Sequence, residues 1–154
     1  MARRSTTTPS PHPDVTTRDQ WRAWLEQNHL TTFDVWIVTG TAAPDETVLG
    51  YEDAFEEALY FGWVEVATRR GPLGHTARQF RRSPGYWPED YRRPVTEMLA
   101  QLKADSNAWL GFRRMSPVRR RAELRWILQA RSGEGRKHRY SQVVARLLQD
   151  ARGD

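Results

Sequence analysis

The chain predicts an α+β fold: a small, mostly antiparallel sheet packed by amphipathic helices, followed by a C-terminal helical half. Three observations carry this. Runs rich in β-branched and aromatic residues at 33–39 and 63–68 flank a stretch with helical periodicity. Gly71-Pro72-Leu73-Gly74 stands where a hairpin would turn. Beyond Pro94 the apolar residues recur at helical spacing, with no further strand pattern. With 154 residues, 38% of them hydrophobic, the chain can bury one core. The expected organisation is a disordered Thr/Ser/Pro tail over 1–15 and one domain over 16–151. That domain divides into a sheet-and-helix half (16–93) and a helical half (94–151).

Thr17 and Gln20 have capping-box spacing, and Trp21, Trp24 and Leu25 form an apolar stripe, so a first helix is expected over Arg18 to His29. Phe33 to Thr39 follows as a buried strand, Ala42 to Glu46 as a loop and Thr47 to Leu49 as a short strand. Tyr51, Ala54, Phe55, Ala58 and Leu59 share one helical stripe, with Glu52, Asp53, Glu56 and Glu57 on the other face. Gly50 precedes this helix, and Gly62 is placed to end it in the left-handed conformation. Trp63 to Thr68 and His75 to Arg82 read as the arms of a hairpin, and Ser83 to Tyr91 as an irregular loop. Helices are expected after Pro94, after a Ser106 cap, and from Ser116-Pro117 to about Arg131. A break at Gly133-Glu134-Gly135 then leads to a final helix bearing Tyr140, Val143, Val144, Leu147 and Leu148.

Composition excludes several classes. Without cysteine there are no disulfides and no thiolate metal sites. No stretch approaches the roughly 18 apolar residues of a membrane span, so no membrane insertion is expected. Arg3 and Arg4 are followed by polar residues and not by the apolar segment of a secretory signal, which points to the cytoplasm. The net charge is +5, and Lys103 and Lys137 are the only lysines among 24 basic residues, so arginine carries the positive charge.

Three stretches carry a resemblance. They are Trp21-Arg22-Ala23-Trp24-Leu25-Glu26-Gln27-Asn28-His29 with Val35-Trp36; Tyr51-Glu52-Asp53-Ala54 through Glu57-Ala58-Leu59-Tyr60-Phe61-Gly62-Trp63-Val64-Glu65; and Ser116-Pro117, Arg120-Arg121 and Leu124-Arg125-Trp126-Ile127 to Ala130. In this order they resemble the YdeI/OmpD-associated, or bacteriocin-protection, family (OmdA) across about residues 18 to 148. The resemblance implies a link to antimicrobial-peptide or envelope stress, and no catalytic mechanism. The chain departs from the family pattern at Glu65-Val66, at Gln79-Phe80-Arg81-Arg82 and at Tyr86-Trp87-Pro88-Glu89.

Two constellations are candidate sites. Strand alternation would put Glu65, Ala67 and Arg69 on one face, with Arg78 or Arg82 beside them across the hairpin. Together with Trp63 and Phe80, an acid flanked by arginines could hold a small ligand or peptide; the plainer alternative is a cross-strand ion pair. The second is the basic zone over 111–140. There Arg113, Arg114, Arg119, Arg120, Arg121 and Arg125 could bind nucleic acid without sequence preference, or simply form a solvated helix face. No helix-turn-helix, zinc-finger or RNA-recognition signature accompanies them. His12, His29, His75 and His138 lack metal-ligand spacing, and there is no nucleophile elbow, so no catalytic residue, metal or cofactor is assigned. A His75–Glu65 acid–base pair is the one catalytic arrangement the hairpin suggests.

Overall fold

The computed structural model describes residues 10–41, 47–83 and 87–152. The expected loop at Ala42 to Glu46, residues 1–9 of the expected tail, and Pro84, Gly85 and Tyr86 lie outside them. Thr17 and Gln20 form the capping box, each side chain accepting from the other's backbone N–H, and open α1 (Arg18–Asn28). Strand β1 (Asp34–Thr39) turns Val35, Ile37 and Thr39 inward. Helix α2 (Tyr51–Tyr60) ends at Gly62, whose φ of 74° is the left-handed value its position predicts. Strands β2 (Trp63–Arg70) and β3 (Thr76–Arg82) form the hairpin, and the sheet is antiparallel in the order β1-β3-β2. The short strand expected at Thr47 to Leu49 reduces to one parallel bridge between Thr39 and Leu49.

Part of the segment expected as a tail lies against β1. The Trp36 N–H donates to Pro11 O at 3.0 Å, Ser10 Oγ donates to Asp34 at 3.0 Å, and the His12 and Trp36 rings stack. Val15 is buried in the hydrophobic core.

The helical half comprises α3 (Arg92–Ala104), α4 (Ser106–Arg114), α5 (Pro117–Leu128) and α6 (Gly133–Arg152). Helix α3 starts ahead of Pro94, which a helix tolerates in its first turn because the N–H it lacks has no intrahelical partner there. Asp105, not Ser106, caps α4, its carboxylate accepting from the Asn107 and Ala108 N–H groups. Ser116 caps α5 with Pro117 in the first helical position, as expected. The expected break at Gly133 to Gly135 is instead the first turn of α6, where Ser132 Oγ accepts from Gly135 N–H at 3.0 Å. One hydrophobic cluster draws on both halves, Trp21, Trp63 and Phe80 from the first and Leu99, Phe112, Leu124 and Leu147 from the second. Among the described residues no helix is long and apolar enough to cross a membrane.

The largest departure is on α2. Glu56 and Glu57, expected on the face opposite the apolar stripe, are wholly buried, because α1 and α3 close over that flank. Arg18 lies 2.9 Å from Glu56, 2.6 Å from Glu57 and 3.1 Å from Asp53, and donates to the Tyr60 hydroxyl. Arg22 makes a second contact to Glu57 at 2.6 Å, and Lys103 pairs with Glu56. Burial by itself lowers the Arg18 pKa, but the hydrogen bond to Glu57 and the charges of Glu56 and Glu57 outweigh it and raise it.

Burial also raises the phenol pKa of Tyr51, Tyr60 and Tyr140 above the ordinary value. Their folded state favours the neutral phenol, so this contribution is complete below the unfolded pKa near 10 and is lost as pH rises beyond it. The urea midpoint is therefore expected to fall steadily from about pH 9.5 to about pH 11.5. A midpoint unchanged over that interval would contradict the burial of these rings.

Candidate functional site

The hairpin residues are brought together only in part. Glu65 lies opposite Phe80, but Ala67 lies opposite Gln79, so Val66 is an extra residue, a β-bulge. The bulge inverts the alternation: Arg69 falls opposite Ala77 on the other face, where its guanidinium stands 5.4 Å from the Trp36 ring centre. Glu65 and Arg69 therefore do not share a face as expected. Trp63 and Phe80 are core residues, 0% and 1% exposed. Glu65 does meet Arg78, at 2.7 Å, and Arg78 also donates to Thr39 Oγ1 at 2.8 Å and covers the Tyr51 ring. The Tyr51 hydroxyl in turn accepts from Arg120 at 2.8 Å. These residues tie the sheet to α2 and α5 as a polar layer inside the protein. His75 precedes β3 and sits at the far end of the hairpin from Glu65, so the suggested acid–base pair is not assembled.

The basic zone does not form one surface. Arg120 and Arg121 are buried among the inward residues of α5, with Leu124, Ile127 and Leu128. Arg113 pairs with Glu52 at 2.7 Å, and Arg119 lies 3.8 Å from Glu123. Arg114 is exposed on α4, and Arg125 is partly buried on α5. Among the described residues no group of three or more His, Asp or Glu side chains could hold a metal ion.

A different place collects chemistry. The end of α1, the α2–β2 turn, the end of β3, the start of α3 and the middle of α5 converge on a cleft of about 790 Å³. Its position depends on Gly62. With φ at 74° this residue turns the chain from α2 into β2, and a Cβ there would lie 2.4 Å from Trp87 Cγ. Glycine thus lets the Trp87 ring lie directly on the turn, where its indole N–H donates to Tyr60 O at 3.2 Å. Phe61 and Trp87 form apolar walls.

Three arginines line the same cleft. Arg82 donates to the His29 and Leu30 carbonyls at 3.2 and 3.1 Å, tying the end of β3 to the end of α1. Arg92 covers the Phe61 ring at 4.0 Å and lies 3.0 Å from His29 Nε2. His29 Nδ1 lies 2.8 Å from Leu25 O, so the network assigns the proton to Nδ1 and leaves Nε2 to accept from Arg92. Arg121 donates through Nε to Gly62 O at 2.7 Å and stands 4.9 Å from the Trp87 ring centre. Although it is only 6% exposed, Arg121 makes no ion pair among the described residues, and its buried Nη2 has no hydrogen-bond acceptor there. Burial, and secondarily the charge of Arg125, holds its pKa below that of an ordinary arginine.

The sequence flagged Gly62 as a left-handed terminator and Arg121 as one of many basic residues. No local pattern joins them to His29, Arg82 and Arg92, which converge only through the tertiary fold.

Two family models match the chain. The one described as "Domain of unknown function (DUF8412)" matches residues 14–110, and the one described as "Bacteriocin-protection, YdeI or OmpD-Associated" matches residues 95–150. The second bears out the YdeI/OmpD-associated relationship over that segment. Neither curated proteins nor solved structures give a match. The cleft draws on both matched regions: His29, Phe61, Gly62, Arg82, Trp87 and Arg92 fall in the first, and Arg121 in the second.

Proposed function

We propose, for a chain that belongs to the family described as "Domain of unknown function (DUF8412)", a ligand-binding role centred on the cleft between Phe61, Trp87 and Arg121. The observation that carries this reading is the convergence of five elements on a concavity of about 790 Å³, within the usual size of small-ligand sites. It has apolar aromatic walls and a small number of oriented polar groups, the combination by which pockets fix a ligand. The match of residues 95–150 to the bacteriocin-protection model supports placing this role in resistance to bacteriocins or antimicrobial peptides.

The role is tested with the isotope-labelled full chain, titrated with a fragment set of neutral, cationic and anionic members while its backbone and indole N–H signals are followed. At least one class is expected to shift the Trp87 indole together with the Gly62 amide, and to lose that effect in Trp87→Ala. Fragments that leave both signals in place throughout the set would overturn the role.

A further inference from the structure

We infer that the ligand of this cleft carries an oxyanion, a carboxylate or a phosphate group, and that Arg121 is its principal anchor. The inference rests on the binding role proposed above and adds the chemical class of what is bound.

A guanidinium is rarely buried without a partner, because removing it from water carries a desolvation cost that only an opposite charge or a full set of acceptors offsets. Among the described residues the other strongly buried charges obey that rule. Glu56 and Glu57 are wholly buried, and Arg18, Arg22 and Lys103 reach them. Arg120 is 3% exposed and donates to Met115 O, Arg113 O and the Tyr51 hydroxyl. Arg121 departs from it. Among the described residues its one hydrogen bond runs to Gly62 O and its buried Nη2 has no acceptor, and the charge that acts on it is the like charge of Arg125, one helical turn away.

The rest of the cleft completes a receptor for negative charge. The Gly62 carbonyl and the Trp87 ring fix the Arg121 fork in place, so little side-chain freedom would be lost when an anion docks. Arg92 is similarly held between the Phe61 ring and His29. Glu89 and Glu26, the two acids lining the cleft, stand at the exposed rim, and Glu89 engages Arg92 only at 3.7 Å. An oxyanion presents two or more oxygens to a guanidinium, and with the Nε hydrogen given to Gly62 O it is the Nη1 and Nη2 groups that the fork has left to offer.

The test uses the full chain and three probes: inorganic phosphate, N-acetylalanine, and N-acetylalanine amide, which differs from the second in lacking its carboxylate. At constant ionic strength, phosphate or N-acetylalanine is expected to raise the melting temperature and move the Arg121 Nε–H signal, while the amide does neither. The anion that binds identifies the source of the oxyanion. Arg121→Gln, which keeps an N–H to offer Gly62 O, is expected to weaken that binding about 10-fold or more, and Arg92→Gln to weaken it less. Equal binding of the amide, unchanged anion affinity in Arg121→Gln, or silence of both anions at high millimolar concentration would each overturn the inference. Neutral fragments that still shift the Trp87 indole would then leave the binding role standing without its anionic ligand. If Arg121→Gln does not fold, the wild-type contrast between acid and amide, with Arg92→Gln, decides the matter.

Discussion

Replacing Arg18 with Met is expected to lower the melting temperature by about 6–12 °C. Arg18 reaches Glu56, Glu57, Asp53 and the Tyr60 hydroxyl at once. Its removal leaves the two wholly buried carboxylates with one cation each, Lys103 for Glu56 and Arg22 for Glu57. Breaking a buried pair by deleting one partner costs about 3–5 kcal/mol, and we take the lower end because the Arg18 side chain is 30% exposed. At about 2–4 °C per kcal/mol for this chain length, about 3 kcal/mol gives about 6–12 °C. The network makes a second demand: Glu57→Gln should be less damaging in the Arg18→Met background than alone, with a coupling of at least about 1 kcal/mol in a double-mutant cycle. A drop below about 2 °C with additive variants would mean that water, not Arg18, satisfies these acids.

Gly62→Ala is expected to destabilise by about 3 kcal/mol. One part is the backbone: an L-residue at a φ of 74° costs about 1–2 kcal/mol. The remainder is overlap, since the new methyl would sit 2.4 Å from Trp87 Cγ and 2.7 Å from Cδ2, well inside contact distance. The ring cannot withdraw without losing its hydrogen bond to Tyr60 O and its place over Arg121. The two parts separate experimentally. In a Trp87→Ala background the overlap is gone, and Gly62→Ala should cost only the backbone part, read from urea midpoints. An equal cost in both backgrounds would show that Trp87 does not press on the turn. The single variant should also abolish binding in the cleft, because the displaced indole forms one of its walls.

Much of the fold was legible along the chain because its signals are local. The Thr17–Gln20 capping box, the Ser116-Pro117 start and the Gly62 terminator each act within one helical turn, and all three stand where their residue types put them. Two of the misplaced boundaries are near misses of the same local chemistry. Asp105 outcompetes Ser106 as a cap because its side chain accepts from two backbone N–H groups, and Ser132 opens α6 just ahead of glycines that otherwise signal a break. The hairpin residues come together only in part for a subtler reason: one extra residue at Val66 puts Arg69 on the opposite face from Glu65, and alternation counted along a strand does not reveal a bulge.

The sequence by itself determined the α+β class, the order of its helices and hairpin, and the abundance of arginine. Only the tertiary structure decided which charges are inside. Spacing on α2 sets Glu56 and Glu57 apart from the Ala54–Phe55–Ala58–Leu59 stripe, but periodicity states only which residues share a face, and the covering of that face by α1 and α3 is a non-local event. The same holds for Arg121. On paper it is one arginine in a run of three; in the fold, the turn at Gly62 and the ring of Trp87 enclose it, and no described residue answers its charge.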